Sequence, residues 1–275
     1  MSRIWLITGA NSGFGRAFTE AAVGAGDYVV ASARRPDTLA DLVEAHPGKV
    51  EAARLDVTDL AAGRALVDDV VARHGRIDVL VNNAGRTHVG AAEETTEAEL
   101  RDLFDLHFFG PVELVRAVLP HMRARRSGAI VQLSSMGGQL SFAGFSAYSA
   151  TKFGLEGYSE ALADEVGPLG IKVLIVEPGA FRTGLFGSHT ASEPMPEYAG
   201  TVGRTRQMIT GSAGTQPGDP AKAATAILTA LAAPSTPLRL PLGDDAVDAI
   251  LSHLDRTGAD IRSWEKLARD TRIAD

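Results

Sequence analysis

A short apolar strand that ends in a glycine-rich turn and continues directly into a helix restricts a chain to few folds. Here Ile4–Ile7 runs into Thr8-Gly9-Ala10-Asn11-Ser12-Gly13-Phe14-Gly15, and a helix is expected over Gly15–Gly24. Gly9 permits the tight turn, Gly13 lets the backbone approach a pyrophosphate, and Gly15 allows close packing of helix on strand. The helix N-terminus behind them offers N–H groups and the positive end of its dipole to phosphates. With Asn11, Ser12 and Phe14, the three glycines form a candidate phosphate cradle. Any tight turn can hold a glycine cluster; the strand before it and the helix after it supply the context that a dinucleotide site requires.

The remaining pattern agrees. Apolar runs rich in β-branched residues recur at Tyr28–Ser32, Val50–Leu55, Val79–Val81, Ala129–Leu133, Lys172–Val176 and Leu238–Leu240. Helical stretches separate them at Thr38–Ala45, Leu60–Arg73, Glu97–Arg125, Ser149–Leu169 and Pro220–Leu231, several closing near a glycine (Gly24, Gly48, Gly75, Gly170), and a last helix is expected from Asp244 to Arg269. Such alternation predicts an α/β chain, a single doubly wound Rossmann-type domain over residues 1–275, with seven mainly parallel strands and helices on both faces. The stretch from Glu177 to Asp219 is the least regular and holds four prolines, Pro178, Pro194, Pro196 and Pro217. A long irregular loop at the carboxyl edge of the sheet predicts a substrate lid over about 180–218, and residues 244–275 form a helical C-terminal extension.

Composition excludes several classes of function. A 45% apolar share supplies a core, and 27 Lys+Arg against 34 Asp+Glu leave no basic surface for nucleic acid. The absence of cysteine removes disulfides, thiolate metal sites and cysteine nucleophiles. His46, His74, His88, His121, His189 and His253 show no metal-ligand spacing. The first residues enter a strand without a signal-like stretch, and no apolar run is long enough to span a bilayer, so a soluble, cytoplasmic protein is expected.

The end of the second strand selects the cofactor. An NAD site places an acid there to bond the ribose 2′-hydroxyl. This chain has Ala33 at that place, followed by Arg34 and Arg35, whose guanidinium groups suit a 2′-phosphate, so NADP(H) is the expected cofactor. Two arginines after a strand are also consistent with plain solvated charge.

Further on, Ser135 precedes Tyr148 by thirteen residues and Lys152 follows it by four, so Tyr148 and Lys152 share one helix face. A phenol of pKa near 10 is a poor acid or base at neutral pH; an adjacent ammonium and a positive nicotinamide both favour its phenolate. Tyr148 then serves as general acid or base, and Ser135 steadies charge on the substrate oxygen. Ser149 and Lys152 also match the serine acyl-enzyme spacing, but the companion Ser-Asp-Asn and Lys-Thr-Gly motifs do not occur.

The spacing Gly-x-x-x-Gly-x-Gly after threonine, the run Asn82-Asn83-Ala84-Gly85, and the set Ser135, Tyr148, Lys152 together resemble the short-chain dehydrogenase/reductase family from Ile4 to about Thr183. The resemblance implies that Asp56 and Val57 hold adenine, and that Asn83, Ala84 and Gly85 pass close to the cofactor. It also implies that Lys152 bonds the nicotinamide ribose, and that Pro178, Gly179 and Thr183 meet the nicotinamide. Relatives usually carry an asparagine where this chain has His107, and that asparagine holds a relay water. Neutral imidazole can do the same or simply pack in the core, and both roles stay open. The resemblance further implies a homodimer or homotetramer paired through the long helices Glu97–Arg125 and Ser149–Leu169. Phe142, Phe145, Leu185, Phe186, Met195, Tyr198 and Met208 suggest an apolar pocket for a carbonyl or alcohol substrate. An NAD-linked alcohol dehydrogenase and a cofactor-sensing protein of the same fold are the alternatives.

Overall fold

The computed structural model describes residues 2–273; Met1 of the expected domain and residues 274–275 of the expected C-terminal extension lie outside the described residues. The strands are β1 (Ile4–Thr8), β2 (Tyr28–Ala33), β3 (Val50–Arg54), β4 (Val79–Asn82), β5 (His88–Val89), β6 (Gly128–Leu133), β7 (Ile171–Pro178), β8 (Thr190–Ala191) and β9 (Arg239–Leu242). Seven of them form one sheet in the order β3-β2-β1-β4-β6-β7-β9, and every pairing in it is parallel. The chain order reverses between β1 and β4, which opens a crevice at their carboxyl ends.

The helices are α1 (Gly13–Gly24), α2 (Ala40–Ala45), α3 (Leu60–His74), α4 (Glu97–Phe104), α5 (Gly110–Arg125), α6 (Ser146–Val166), α7 (Val202–Ser212), α8 (Pro220–Ala232) and α9 (Asp244–Arg269). Side-chain alternation along β1 sorts them into layers. Trp5 and Ile7 pack with Phe18 and Ala22 of α1 and Ile227 of α8, while Leu6 packs with Val67 of α3, Val118 of α5 and Leu162 of α6. Burial on both faces is why the strands are nearly all apolar. No helix among the described residues is long and apolar enough to cross a membrane.

Three expectations need correction. The helix expected over Glu97–Arg125 is interrupted by a π-helical turn, Asp105–Phe109, between α4 and α5. Pro111 has no N–H to give the His107 carbonyl, and the Gly110 N–H bonds back five residues to the Asp105 carbonyl instead. Gly24 does not make a left-handed helix end; that turn falls to Gly26 at φ 89°, whereas Gly48, Gly75 and Gly170 have φ of 71°, 78° and 77°.

The segment after β7 is also more ordered than its prolines and glycines suggest. It holds β8, which pairs with β5, and the eleven-residue helix α7. Its ends meet: Phe181 bridges Gly218, the Arg182 N–H donates to the Gly218 carbonyl at 3.0 Å, and the Gly218 N–H donates to the Ala180 carbonyl at 3.1 Å. Buried Glu94 ties it to the body by accepting from the Met195 N–H at 2.8 Å and from Arg206 at 2.9 Å. Burial pushes the Glu94 carboxyl up, but these bonds and the Ala91 N–H outweigh that and hold it below the usual range.

Candidate active site

Thr8 ends β1 and holds the turn behind the glycines together. Its Oγ1 accepts from the Asn83 and Ala84 N–H groups, each at 3.0 Å, while Asn83 Nδ2 donates to the Thr8 carbonyl at 2.8 Å and the Gly9 carbonyl at 3.0 Å. The Asn82–Gly85 run thus braces the glycine turn from the next strand. Gly9 and Gly13 have φ of 62° and 53°, and a Cβ at Gly13 would come within 2.9 Å of the Thr183 side chain. Gly15 lies outside the cleft wall, where a Cβ would strike the Gly9 carbonyl and come within 2.6 Å of Asn83 Nδ2. Its smallness sets the helix against the turn. Ser12, the N-cap of α1, makes no side-chain cap bond, so the first turn of that helix is not satisfied from within.

A cleft of about 1100 Å³ runs from this turn along the carboxyl ends of the strands. At one end it is walled by Gly9, Asn11, Ser12, Gly13 and Phe14, and beyond them by Ala33 and Arg34 on one side and Asp56 and Val57 on the other. Arg34 and Arg35 are both exposed, but only Arg34 lines the cleft. Asn83, Ala84 and Gly85 form its middle, and Pro178, Gly179 and Thr183 its wall on the β7 side.

At the other end the catalytic candidates converge. Ser135 follows β6, Tyr148 and Lys152 project from α6, and the Tyr148 hydroxyl is hydrogen-bonded to Ser135. The Ser135 hydroxyl also accepts from the Gly137 N–H at 3.0 Å, which fixes its rotamer. Lys152 Nζ donates to the Leu133 carbonyl at 2.7 Å and stands 5.8 Å from the centre of the Tyr148 ring. Burial pushes the Tyr148 phenol up, with the Ser135 bond pulling it down, so the lowering expected from the nearby ammonium does not dominate. Burial brings Lys152 down to about 8, opposed by the charge of Glu156. The competing serine, Ser149, takes a hydrogen bond from the Ser141 hydroxyl at 3.0 Å and is not the partner of Lys152 Nζ.

Behind this set lies a charge cluster. Arg239 meets Glu160 at 2.7 Å, Glu156 at 3.1 Å and Glu177 at 3.6 Å, and Gln139 donates to Glu177 at 2.7 Å. Glu156 and Glu177 are buried, and one oxygen of each has no conventional partner among the described residues. One guanidinium cannot neutralise three carboxylates, two of them out of water. Burial raises the Glu177 carboxyl to about 7, with help from the Glu156 charge and against the Gln139 bond and Arg239. Burial raises the Glu156 carboxyl as well, against the Ser134 bond and Arg239, so the two buried carboxyls both hold protons more tightly than free glutamate.

The model of the family described as short chain dehydrogenase matches residues 3–194. The crystal structure of a short-chain dehydrogenase from Streptomyces avermitilis is 63% identical and superposes with a TM-score of 0.94 over 98% of each chain. A 3-ketodihydrosphingosine reductase from Bacteroides thetaiotaomicron is 40% identical over 210 residues, 75% of this chain and 76% of that one. A metagenomic short-chain oxidoreductase solved in complex with NADP is 26% identical with a TM-score of 0.70, over 87% of this chain and 96% of its own. This chain belongs to the short-chain dehydrogenase family. It is an oxidoreductase of a fold that binds a nicotinamide cofactor. Its own residues fit one: the cradle at Gly13 would be filled by a Cβ, the first turn of α1 is uncapped by side chain, and Arg34 stands at the far end.

His107 sits in the π-helical turn and is buried. Its Nε2 accepts from the Arg86 backbone N–H at 3.1 Å, so Nδ1 bears the proton and donates to Thr151 Oγ1 at 3.0 Å. Thr151 in turn donates to the Tyr148 carbonyl at 2.7 Å. The ring stands edge-on to Tyr148, centroids 5.6 Å apart. Burial, then the charges of Lys152 and Arg86, push its pKa well below the usual imidazole value, so it is neutral. Both ring nitrogens are engaged by the protein, and the ring links the Gly85-Arg86 turn to the backbone of α6.

The segment 180–218 contributes Leu185, Phe186, Thr190, Met208 and Ser212 to the cleft, and Phe142 and Phe145 face them; Met195 and Tyr198 do not line it. The sequence reading missed Phe181, which packs on Phe14 at 5.0 Å, and Asp245, which accepts from the Ala180 N–H at 2.7 Å. Arg86, ion-paired to Asp102 at the cleft wall, was missed as well. Glu177 carried a signal, a charge at the end of a buried strand; the others carried none.

Proposed function

We propose that the protein reduces a bulky apolar ketone or aldehyde with NADPH, or oxidises the corresponding alcohol, using Tyr148 as general acid or base. The convergence of Ser135, Tyr148 and Lys152 at one end of a cleft whose other end pairs Ala33 with Arg34 carries this reading. Held by the turn from Gly9 to Phe14 and by Arg34, NADPH would supply the hydride for the carbonyl carbon. Tyr148 gives its proton to the carbonyl oxygen, and its raised pKa keeps that proton in place until charge develops there. Ser135 donates to the same oxygen and steadies the charge. Lys152, held by the Leu133 carbonyl, keeps a cation beside the phenol and steadies the phenolate left when Tyr148 gives up its proton, which returns from solvent. His107 is a positioning residue that fixes α6 against the Gly85-Arg86 turn.

An apolar substrate is supported by Phe142, Phe145, Phe186 and Met208 at that end of the cleft, and by the 40% identity to a 3-ketodihydrosphingosine reductase. The segment 180–218 acts as its lid. A homodimer or homotetramer through α4–α6 is supported by Phe109 and Phe153, large apolar side chains 49% and 46% exposed in the stretch that relatives pair.

The test follows NADPH absorbance over a panel of long-chain ketones, with NADH in parallel, for wild type and for Ala33→Asp/Arg34→Leu. Wild type should prefer NADPH, and the double variant should shift toward NADH by roughly 10-fold to 100-fold, the worth of one lost charge-assisted bond of about 1.5–3 kcal/mol. A wild type that prefers NADH overturns the cofactor reading. Tight NADPH binding with no turnover of any carbonyl compound overturns the enzymatic one.

A further inference from the structure

α9 leaves the body of the protein after two turns. Ala246 and Ile250 are buried, but from Leu254 to Arg269 every residue except Gly258 is exposed. Along this rod Val247, Leu251, Leu254, Ile261 and Trp264 are exposed by 39, 57, 52, 66 and 65%. Their spacings keep them on one broad side of the helix, with Leu267 flanking it. A helix in water draws most of its stability from packing that side, and this one has nothing against it among the described residues.

The charges say what covers it. The first half of α9 carries Asp244, Asp245, Asp248 and Asp255 against Arg256 alone; the second half carries Arg262, Lys266 and Arg269 against Asp260 and Glu265. One half is negative and the other positive on balance. A second α9 laid antiparallel brings each acidic half against a basic half and each apolar stripe against its equal, as a two-fold axis demands. An anionic membrane surface would repel the acidic half.

We infer that α9 is a dimerisation helix that pairs antiparallel with α9 of a second copy of this chain. The two-fold axis crosses near Thr257 and Gly258, where the missing side chain lets the helices approach. Leu254 then lies opposite Ile261 of the partner subunit, and Leu251 opposite the partner's Trp264. This contact is separate from the α4–α6 face and holds whatever the cofactor or substrate.

The test is mass by light scattering on the full chain, wild type against Leu254→Glu/Ile261→Glu. Both side chains are solvent-exposed, so the fold should survive, checked by unchanged circular dichroism and NADPH binding. The variant should show half the wild-type mass at equal concentration. The natural absence of cysteine gives a second readout. Leu251→Cys/Trp264→Cys should form a covalent dimer on mild oxidation, while Leu251→Cys alone should not; thirteen residues of helix, about 20 Å, separate the two positions within one chain. An unchanged mass, self-linking of Leu251→Cys alone, or a monomeric wild type that floats with phosphatidylserine vesicles each overturns the inference.

Discussion

The two ends of the cleft are built from different materials. The phosphate end is backbone: Gly9 and Gly13 in left-handed conformations, Gly15 wedged against a carbonyl, and Asn83 bonded to main chain. The catalytic end is side chain on helix, with Tyr148 and Lys152 buried among His107, Glu156 and Phe145. The first end tolerates no added atom, whereas the second depends on charge and protonation. Variants should therefore fail differently at the two ends.

The largest effect is expected at the catalytic end. Tyr148→Phe removes the proton donor and leaves its ring packing against His107 intact, so turnover should fall at least ~10²-fold with NADPH affinity nearly unchanged. Steady-state rates together with a direct cofactor titration check this. Near-wild-type turnover removes Tyr148 from the chemistry.

Gly15→Ala should do the reverse. One methyl group meets the Gly9 carbonyl and Asn83, neither of which moves without opening the turn, so stability should fall by about 1–3 kcal/mol and cofactor affinity with it. Ser135, Tyr148 and Lys152 remain in place, so kcat at saturating NADPH should change little. A variant that binds NADPH as tightly as wild type shows that the turn yields, and the contrast between the two ends disappears.

That contrast also explains what was legible in the sequence. Backbone-built sites leave compulsory marks, so the glycines, Asn83 and the seven strands of the sheet were readable from Gly9–Gly15, Asn82–Gly85 and the strand periodicity. Sites built from side chains on distant elements leave none. Arg239, more than sixty residues from Glu177, gave no hint that it joins the pair behind α6, and Asp245 gave none that it clamps the Ala180 N–H. The π-helical turn escaped because periodicity through Asp105–Phe109 remains helical, and only Pro111 marks the break. Arg35 was grouped with Arg34 on adjacency alone, and the backbone turns only one of them to the cleft.

The carboxylate pair sharpens the comparison through pH. Glu177 has a folded pKa of about 7, above the ~4.3 of an unfolded glutamate. Between those values the folded state holds the extra proton, so its contribution to stability is complete below about 4 and is lost as pH rises through 7. Glu177→Gln keeps the hydrogen bonding of the protonated carboxyl and cannot ionise. Its melting temperature should exceed wild type by roughly 2–4 °C at pH 8, the effect of about 1 kcal/mol in a chain of this size, and match it near pH 4. An equal loss at both pH values means that the carboxylates are independent.

The smallest effect belongs to the lid. Met208 is 55% exposed, yet it lines the cleft, as Phe142 does. A long apolar substrate gains contact with about a third of that side chain, a few tens of Å², worth about 1 kcal/mol at the usual ~25 cal/mol per Å². Met208→Ala should therefore raise KM for a long-chain ketone about 3- to 6-fold while leaving KM for a short ketone unchanged. Neither kcat nor NADPH affinity should move, because α7 touches neither Tyr148 nor the glycine turn through this residue. The same increase for short and long ketones means that the variant has loosened the whole segment. No increase for either places the apolar part of the substrate elsewhere in the cleft, against Phe145 and Phe186, and Phe186→Ala then becomes the variant that separates long from short.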